Sequence, residues 1–275
     1  MKTMTGDIQH IIVIQSLKPG EKQTGQELYN DTISLPLLQM GEMAIIKTHE
    51  YADLLAKAAI LAKLDEIHVR APQLQNGLVI HFEMHGSTRL DGLVTASREL
   101  LSWPELIDKF RPINIATRNQ LYLTLATCNG RYLFEAVDFE QKSPYSGYLS
   151  ASKDVSVVEI MDSFSDLYSR LLQDGNFIRS YLASETEGGS FFYKDSEETF
   201  ERRMAIGLDM MRNDPRYRQI VLGGPEVQKA IVNGELNEAQ QTELMEQTFR
   251  EIYHRHKQNF DFSAGDTLMP NHSPT

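Results

Sequence analysis

Four short runs along the chain are apolar, rich in β-branched or aromatic residues and bounded by turn residues: HIIVIQSL (10–17), EMAIIKT (42–48), GLVIHFEM (77–84) and QLYLTLAT (120–127). Runs of that length and composition predict buried strands. Helical periodicity falls between them. In HEYADLLAKAAILAKL, the residues Tyr51, Leu54, Leu55, Ala58, Leu61 and Leu64 recur at helical spacing. In SWPELIDKF, Ser102 and Glu105 form a capping box with Trp103 at the first helical position. PYSGYLSAS (144–152) reads as a fifth strand, and VSVVEIMDSFSDLYSRLLQDG after it as the clearest helix. Its apolar face is Val157, Val158, Met161, Phe164, Tyr168, Leu171 and Leu172; Ser156 and Glu159 form its capping box and Gly175 its stop. GSFFYKDS (189–196) reads as a sixth strand. Strands alternating with helices predict an α/β fold of three layers, a mostly parallel six-stranded sheet with helices on both faces.

Beyond residue 196 the chain turns polar and helical, with EETFERRMAIGLDMM and NEAQQTELMEQTFREIYHRHKQ as two amphipathic segments. The expected organisation is an α/β domain over 1–195, a helical C-terminal extension over 196–262 packed on or near it, and a tail over 263–275 of disordered composition. Charge narrows the partners. The chain has 27 Lys and Arg against 38 Asp and Glu, a formal net charge of −11. That balance opposes a phosphate backbone, so nucleic acid is not an expected partner. One cysteine forms no internal disulfide, and no paired Cys/His spacing offers a zinc site, which suits a reducing compartment. Near the N-terminus the apolar run is only Ile11 to Ile14, with Leu17 beyond two polar residues. That is far short of the roughly 18 residues a bilayer span needs. A cytoplasmic protein with no membrane association, cofactor or metal is expected. HRH at 254–256 reads as a solvated helix face and LGGPE (222–226) as a turn. Met204, Met210 and Met211 form an apolar stripe, core or partner surface.

Candidate chemistry follows from the sheet. In an open parallel sheet, ligands gather at the carboxyl ends of the strands. Those ends carry Ser16-Leu17, His85-Gly86-Ser87, Cys128-Asn129-Gly130 and Ser152-Lys153-Asp154. A histidine and the sole cysteine therefore fall at one edge of neighbouring strands. An imidazole and the N-terminus of a helix, here expected from NGRYLFEAVDF, both favour the nucleophilic thiolate. Glycines beside both residues allow close backbone approach, and the N–H groups of Gly86 and Cys128 suit an oxyanion hole. His81, on the same strand face as His85, reads as a packed strand residue.

VIHFEMHGS followed by LYLTLATCNG resembles the His-Gly and Cys-x-Gly motifs of the caspase-fold cysteine peptidases of clan CD, and in particular the bacterial caspase-like group that includes the CHAT proteases. The resemblance spans roughly residues 8–195 by strand order and motif position. It implies a caspase-like three-layer fold and a thiol protease working by a dyad. Cys128 attacks the scissile carbonyl, His85 moves the proton, and the Gly86 and Cys128 N–H groups hold the oxyanion. It also implies a regulated bacterial effector, as in antiviral defence. The expected partners are a protein substrate, an activating protein or small-molecule signal, and a second copy in a homodimer. ATCNG departs from the animal caspases, which carry a glutamine two residues before the cysteine, and no cutting loop separates large and small subunits.

By the same resemblance, the pocket for the residue before the scissile bond draws on Lys22 and Thr24, on Ala126, and on Ser152, Lys153 and Asp154. Its preference stays open. Asp154 suits either a basic side chain or the first turn of the next helix, Lys22 and Lys153 suit an acidic residue, and small Ala126 leaves room for a large apolar one. Two other functions fit the residues: a catalytically silent caspase-like binding or scaffold module, and a thiol-dependent hydrolase or transferase of small molecules.

Overall fold

The computed structural model describes residues 6–185 and 189–262; the expected tail lies outside them. Eight strands occur among these residues: β1 (His10–Ser16), β2 (Thr48–Asp53), β3 (Leu78–Gly86), β4 (Gly92–Val94), β5 (Leu100–Ser102), β6 (Leu121–Ala126), β7 (Gly147–Ala151) and β8 (Phe191–Asp195). The helices are α1 (Thr24–Glu27), α2 (Leu35–Met40), α3 (Lys57–Arg70), α4 (Trp103–Ala116), α5 (Val157–Asp174), α6 (Phe177–Ser184), α7 (Ser196–Asn213), α8 (Pro215–Leu222), α9 (Pro225–Val232) and α10 (Glu238–Lys257). The main sheet runs β2-β1-β3-β6-β7-β8. All its pairs are parallel except β7 with β8. This is the α/β architecture that the alternating pattern predicts.

Two cores make the layers. Ile12, Ile14, Leu78, Ile80, Phe82, Leu121, Leu123 and Leu125 join Ile60 and Leu64 of α3 and Leu106 and Phe110 of α4 in one. Ile11, Val13, Val79 and Tyr122 join Leu28, Leu37, Phe164, Tyr168 and Phe177 in the other. Period-two alternation along each strand sends neighbouring residues to opposite cores. On β3, Val79 in the second core fixes the parity, so His81, Glu83 and His85 form a polar row on the face that α5 covers. The two capping boxes form as expected, Ser102 with Glu105 and Ser156 with Glu159, and Gly175 ends α5 in the left-handed region at φ 69°.

Three expectations are corrected. The strand expected at 42–48 lies at Thr48–Asp53, preceded by a short 3-10 turn at Gly41–Met43. Ala44 and Ile46 are buried without being paired, because burial alone does not make a strand. What makes β2 is the open edge of β1, where Tyr51 stands beside Val13. The helix expected from residue 49 consequently starts at Lys57, and its buried face is Ile60, Leu64 and Ile67. After Cys128 the chain forms a 3-10 helix, Gly130–Ala136, rather than an α-helix. The antiparallel strands β4 and β5 had no separate sequence signal, being three residues each. They extend β3, pairing His85 with Val94 and Gly86 with Leu93.

The described residues divide into two compact units, 6–138 with 143–185, 189–196 and 262, and 139–142 with 197–261. The second unit gathers Met211, Leu222 and Met245 with Leu208, Ile231 and Phe249 in its own small core. Phe139 belongs with it because its ring meets Phe200 at 5.7 Å and its carbonyl accepts from Asn259. Among the described residues no helix is long and apolar enough to cross a membrane.

Candidate active site

The site is built where β3 and β6 leave the sheet. Glu83 stands opposite Ala126 in the parallel register, so His85 and Cys128, two residues further on each strand, emerge level with one another. The backbone of Gly86, next to His85, packs on that of Cys128: a Cβ on Gly86 would lie 2.1 Å from the Cys128 carbonyl oxygen. Only glycine allows that approach. Asn129 then takes the left-handed conformation, φ 58° and ψ 23°, which asparagine tolerates better than most residues. Its N–H donates to the Lys153 carbonyl at 3.2 Å and its side-chain amide donates to Asp154 at 3.0 Å. Gly130 follows in a tight space, where a Cβ would meet the Ser150 Cβ at 3.0 Å. The turn bearing the thiol is thus tied to the loop after β7.

His85 is half-exposed, and its Nε2 lies 3.2 Å from the Glu21 carboxylate. Sequence reasoning missed Glu21, which sits in the long loop after β1 with no motif to mark it. That loop is held by hydrogen bonds: Glu21 accepts from the Lys18 N–H at 2.8 Å, and the Gln23 amide donates to the carbonyls of Lys18 and Glu21. The Lys18 N–H, and after it His85, draw the Glu21 carboxyl below its ordinary value. With Nε2–H donated to this carboxylate, Nδ1 is left as the acceptor nitrogen of the ring. Cys128 is half-buried, and its Sγ lies 4.0 Å from the Val155 carbonyl oxygen.

One cavity of about 270 Å³ is lined by both His85 and Cys128. Lys22, Thr24 and Ala126 also line it, as the pocket expectation has it, together with Glu21, Glu83 and an apolar wall that includes Val155, Val157 and Ile160. Ser152, Lys153 and Asp154 are not among its lining residues. Asp154 precedes the Ser156 N-cap of α5 and so lies outside its first turn; its carboxylate anchors Asn129. Lys22 points its ammonium to Glu27 at 3.3 Å.

Behind the cavity lies a buried polar row. Thr24 donates to Glu83 at 2.7 Å, His81 Nε2 is 3.2 Å from Glu83, His81 Nδ1 is 2.8 Å from the Thr124 hydroxyl, and that hydroxyl is 2.9 Å from the Tyr168 hydroxyl. The His81 ring also meets Phe164 edge-on at 4.9 Å. His81 is thus the packed strand residue expected. Glu83 was missed, although a carboxylate inside an otherwise apolar strand, between two histidines at period two, was a signal in plain sight. No family model matches the chain, and no curated protein matches it.

Proposed function

We propose that the chain is a cysteine endopeptidase in which Cys128 and His85 act as a dyad on a protein substrate. The observation that supports this most is the level emergence of His85 and Cys128 from adjacent parallel strands into a single cavity. The β2-β1-β3-β6-β7-β8 sheet, with both motifs at its carboxyl edge, also suits the resemblance to the caspase-fold peptidases. In this reading His85 takes the Cys128 thiol proton, Sγ attacks the scissile carbonyl carbon to form a C–S bond, and the oxyanion is met by the N–H groups of Gly86 and Cys128. Collapse breaks the C–N bond, and the His85 imidazolium gives its proton to the leaving amine. Water then attacks the thioester as His85 takes its proton, the C–S bond breaks, and His85 returns that proton to the Cys128 sulfur as the carboxylate product leaves. Glu21 is a positioning residue that holds the imidazole ring by Nε2.

The test is a comparison of new protein termini generated by the wild-type chain and by Cys128→Ala in a lysate, together with thiol-directed labelling of Cys128. Cleavages present with the wild type and absent with the variant support the reading. Equal cleavage by both sinks it.

A further inference from the structure

The cavity holds a carboxylate that the reaction above does not use. Glu83 lines it, yet its side chain is only 3% exposed. Hydrogen-bonding groups converge on it. The Tyr168 hydroxyl donates to Thr124, Thr124 donates to His81 Nδ1, and His81 Nε2–H then donates to Glu83, while Thr24 donates from the other side. In this assignment every group in the row has a partner, and the row ends on the Glu83 carboxyl group. Among the described residues, no lysine or arginine pairs with Glu83; its ion-pair contact is with His81. A carboxyl group buried in the cavity wall and met by no lysine or arginine side chain offers a seat to a cation that enters the cavity.

The surroundings agree with such a ligand. Glu21 adds a second carboxylate to the lining, and Lys22 is engaged by Glu27 rather than by Glu83. The remaining walls, among them Leu17, Met84, Ala126, Val155 and Ile160, suit an aliphatic stem. The start of α1 packs directly on the Glu83 side chain: a Cβ on Gly25 would lie 2.9 Å from the Glu83 Cβ and 3.1 Å from its Cγ. We propose that this cavity receives the lysine or arginine side chain that precedes the scissile bond, its stem against the apolar walls and its cation on Glu83. The inference rests on the peptidase reading and names the substrate class of that same site. It replaces the open choice among acidic, apolar and basic residues.

The test uses the full chain and three peptidyl acyloxymethyl ketones, identical except for lysine, norleucine or aspartate at the terminal residue. Cys128 sulfur displaces the acyloxy group as a carboxylate, a C–S bond forms, and intact mass counts the adduct. The lysine probe is expected to modify wild-type Cys128 at least about tenfold faster than the norleucine probe, with aspartate slower than lysine. Glu83→Gln should bring the lysine-to-norleucine ratio close to one, and Glu83→Asp should keep it above one. Norleucine or aspartate reacting as fast as lysine in the wild type overturns the preference and leaves the peptidase reading standing. If no probe modifies a Cys128 that iodoacetamide alkylates, the peptidase reading fails and takes this inference with it. Where Glu83→Gln does not fold, the wild-type comparison and Glu83→Asp decide.

Discussion

His81 and His85 stand on one strand and one face, four residues apart, and the fold treats them oppositely. His81 is fully buried, bonded through both ring nitrogens and covered by the rings of Phe164 and Tyr168. His85 is half-exposed, with its ring held by Glu21 on a surface loop and its other nitrogen open to a cavity shared with the thiol. The difference is where the sheet ends. While β3 is flanked by β1 and β6, its side chains belong to a core; beyond Met84 and Ala126 that flanking stops, and the same strand lines a cavity. A histidine inside the sheet is a structural hydrogen-bonding group, and a histidine just past it is free to move protons.

The sharpest way to break this comparison is to remove each ring in turn. His85→Ala should lower peptidase turnover by about a thousandfold. Being at the exposed edge, it should shift unfolding by no more than about 0.5 kcal/mol, read from urea denaturation. His81→Ala should behave the other way, costing about 3 kcal/mol of stability because it opens a hole beside Phe164 and strips partners from Thr124 and Glu83. A His85→Ala variant that unfolds readily, or a His81→Ala variant of unchanged midpoint, would collapse the distinction.

How much of this was legible in the sequence follows the same divide. β1, β3 and β6 are buried runs rich in aliphatic residues, and the α4 and α5 capping boxes are local, so pattern alone located them. The motifs HGS and TCNG also lie at strand ends, so the juxtaposition of His85 and Cys128 needed only a parallel register. What stayed hidden depends on partners distant in sequence. β2 is a half-polar edge strand whose pairing with β1 no short window reveals. Glu21 meets His85 across 64 residues, and the burial of Glu83 is settled by Thr24, 59 residues away. The loop after β7 does wall the cavity, through Val155, while Asp154 ties it to Asn129, and no local pattern tells the two apart.

Glu21 tests a finer part of the contrast, since it is what distinguishes the held ring of His85 from a free surface imidazole. Glu21→Gln should reduce kcat/KM by about tenfold, a loss of about 1.4 kcal/mol in transition-state stabilisation. A positioning role also predicts a change that a structural one does not: nitrogen NMR of the His85 ring should show the Nε2–H tautomer losing population. The pH sense is fixed by the depressed carboxyl. The Glu21 charge is fully present above the ordinary carboxylate value near 4.5 and fades only as pH falls below it, so wild-type activity should show no loss from this group between about pH 5 and 8. An unchanged tautomer in Glu21→Gln would reduce Glu21 to a loop residue.

The smallest effect concerns α5, which serves both histidines: Phe164 and Tyr168 cover His81, while Val157 and Ile160 line the cavity of His85. Its first turn is held by the Ser156 hydroxyl, which accepts the Glu159 N–H at 3.2 Å, and by the Glu159 carboxylate, which accepts the Ser156 N–H at 2.8 Å and the Ser190 hydroxyl at 2.7 Å. Ser156→Ala should cost about 1 kcal/mol. These bonds, the Ser156 N–H foremost, lower the Glu159 carboxyl to about 2. A depressed carboxyl contributes fully above its ordinary value of 4.5 and loses that contribution as pH falls through about 2. The gap between wild type and Ser156→Ala should therefore be constant near neutrality and narrow in acid. Hydrogen exchange locates the damage. Amides at Val157 to Ile160, beside the reactive edge, should lose protection, while those at Phe164 to Tyr168, two turns deeper against His81, should keep theirs. Loss spread evenly along α5 would mean that the edge and the core of this face open as one unit, and the two histidines would then differ in chemistry without differing in the stability of their surroundings.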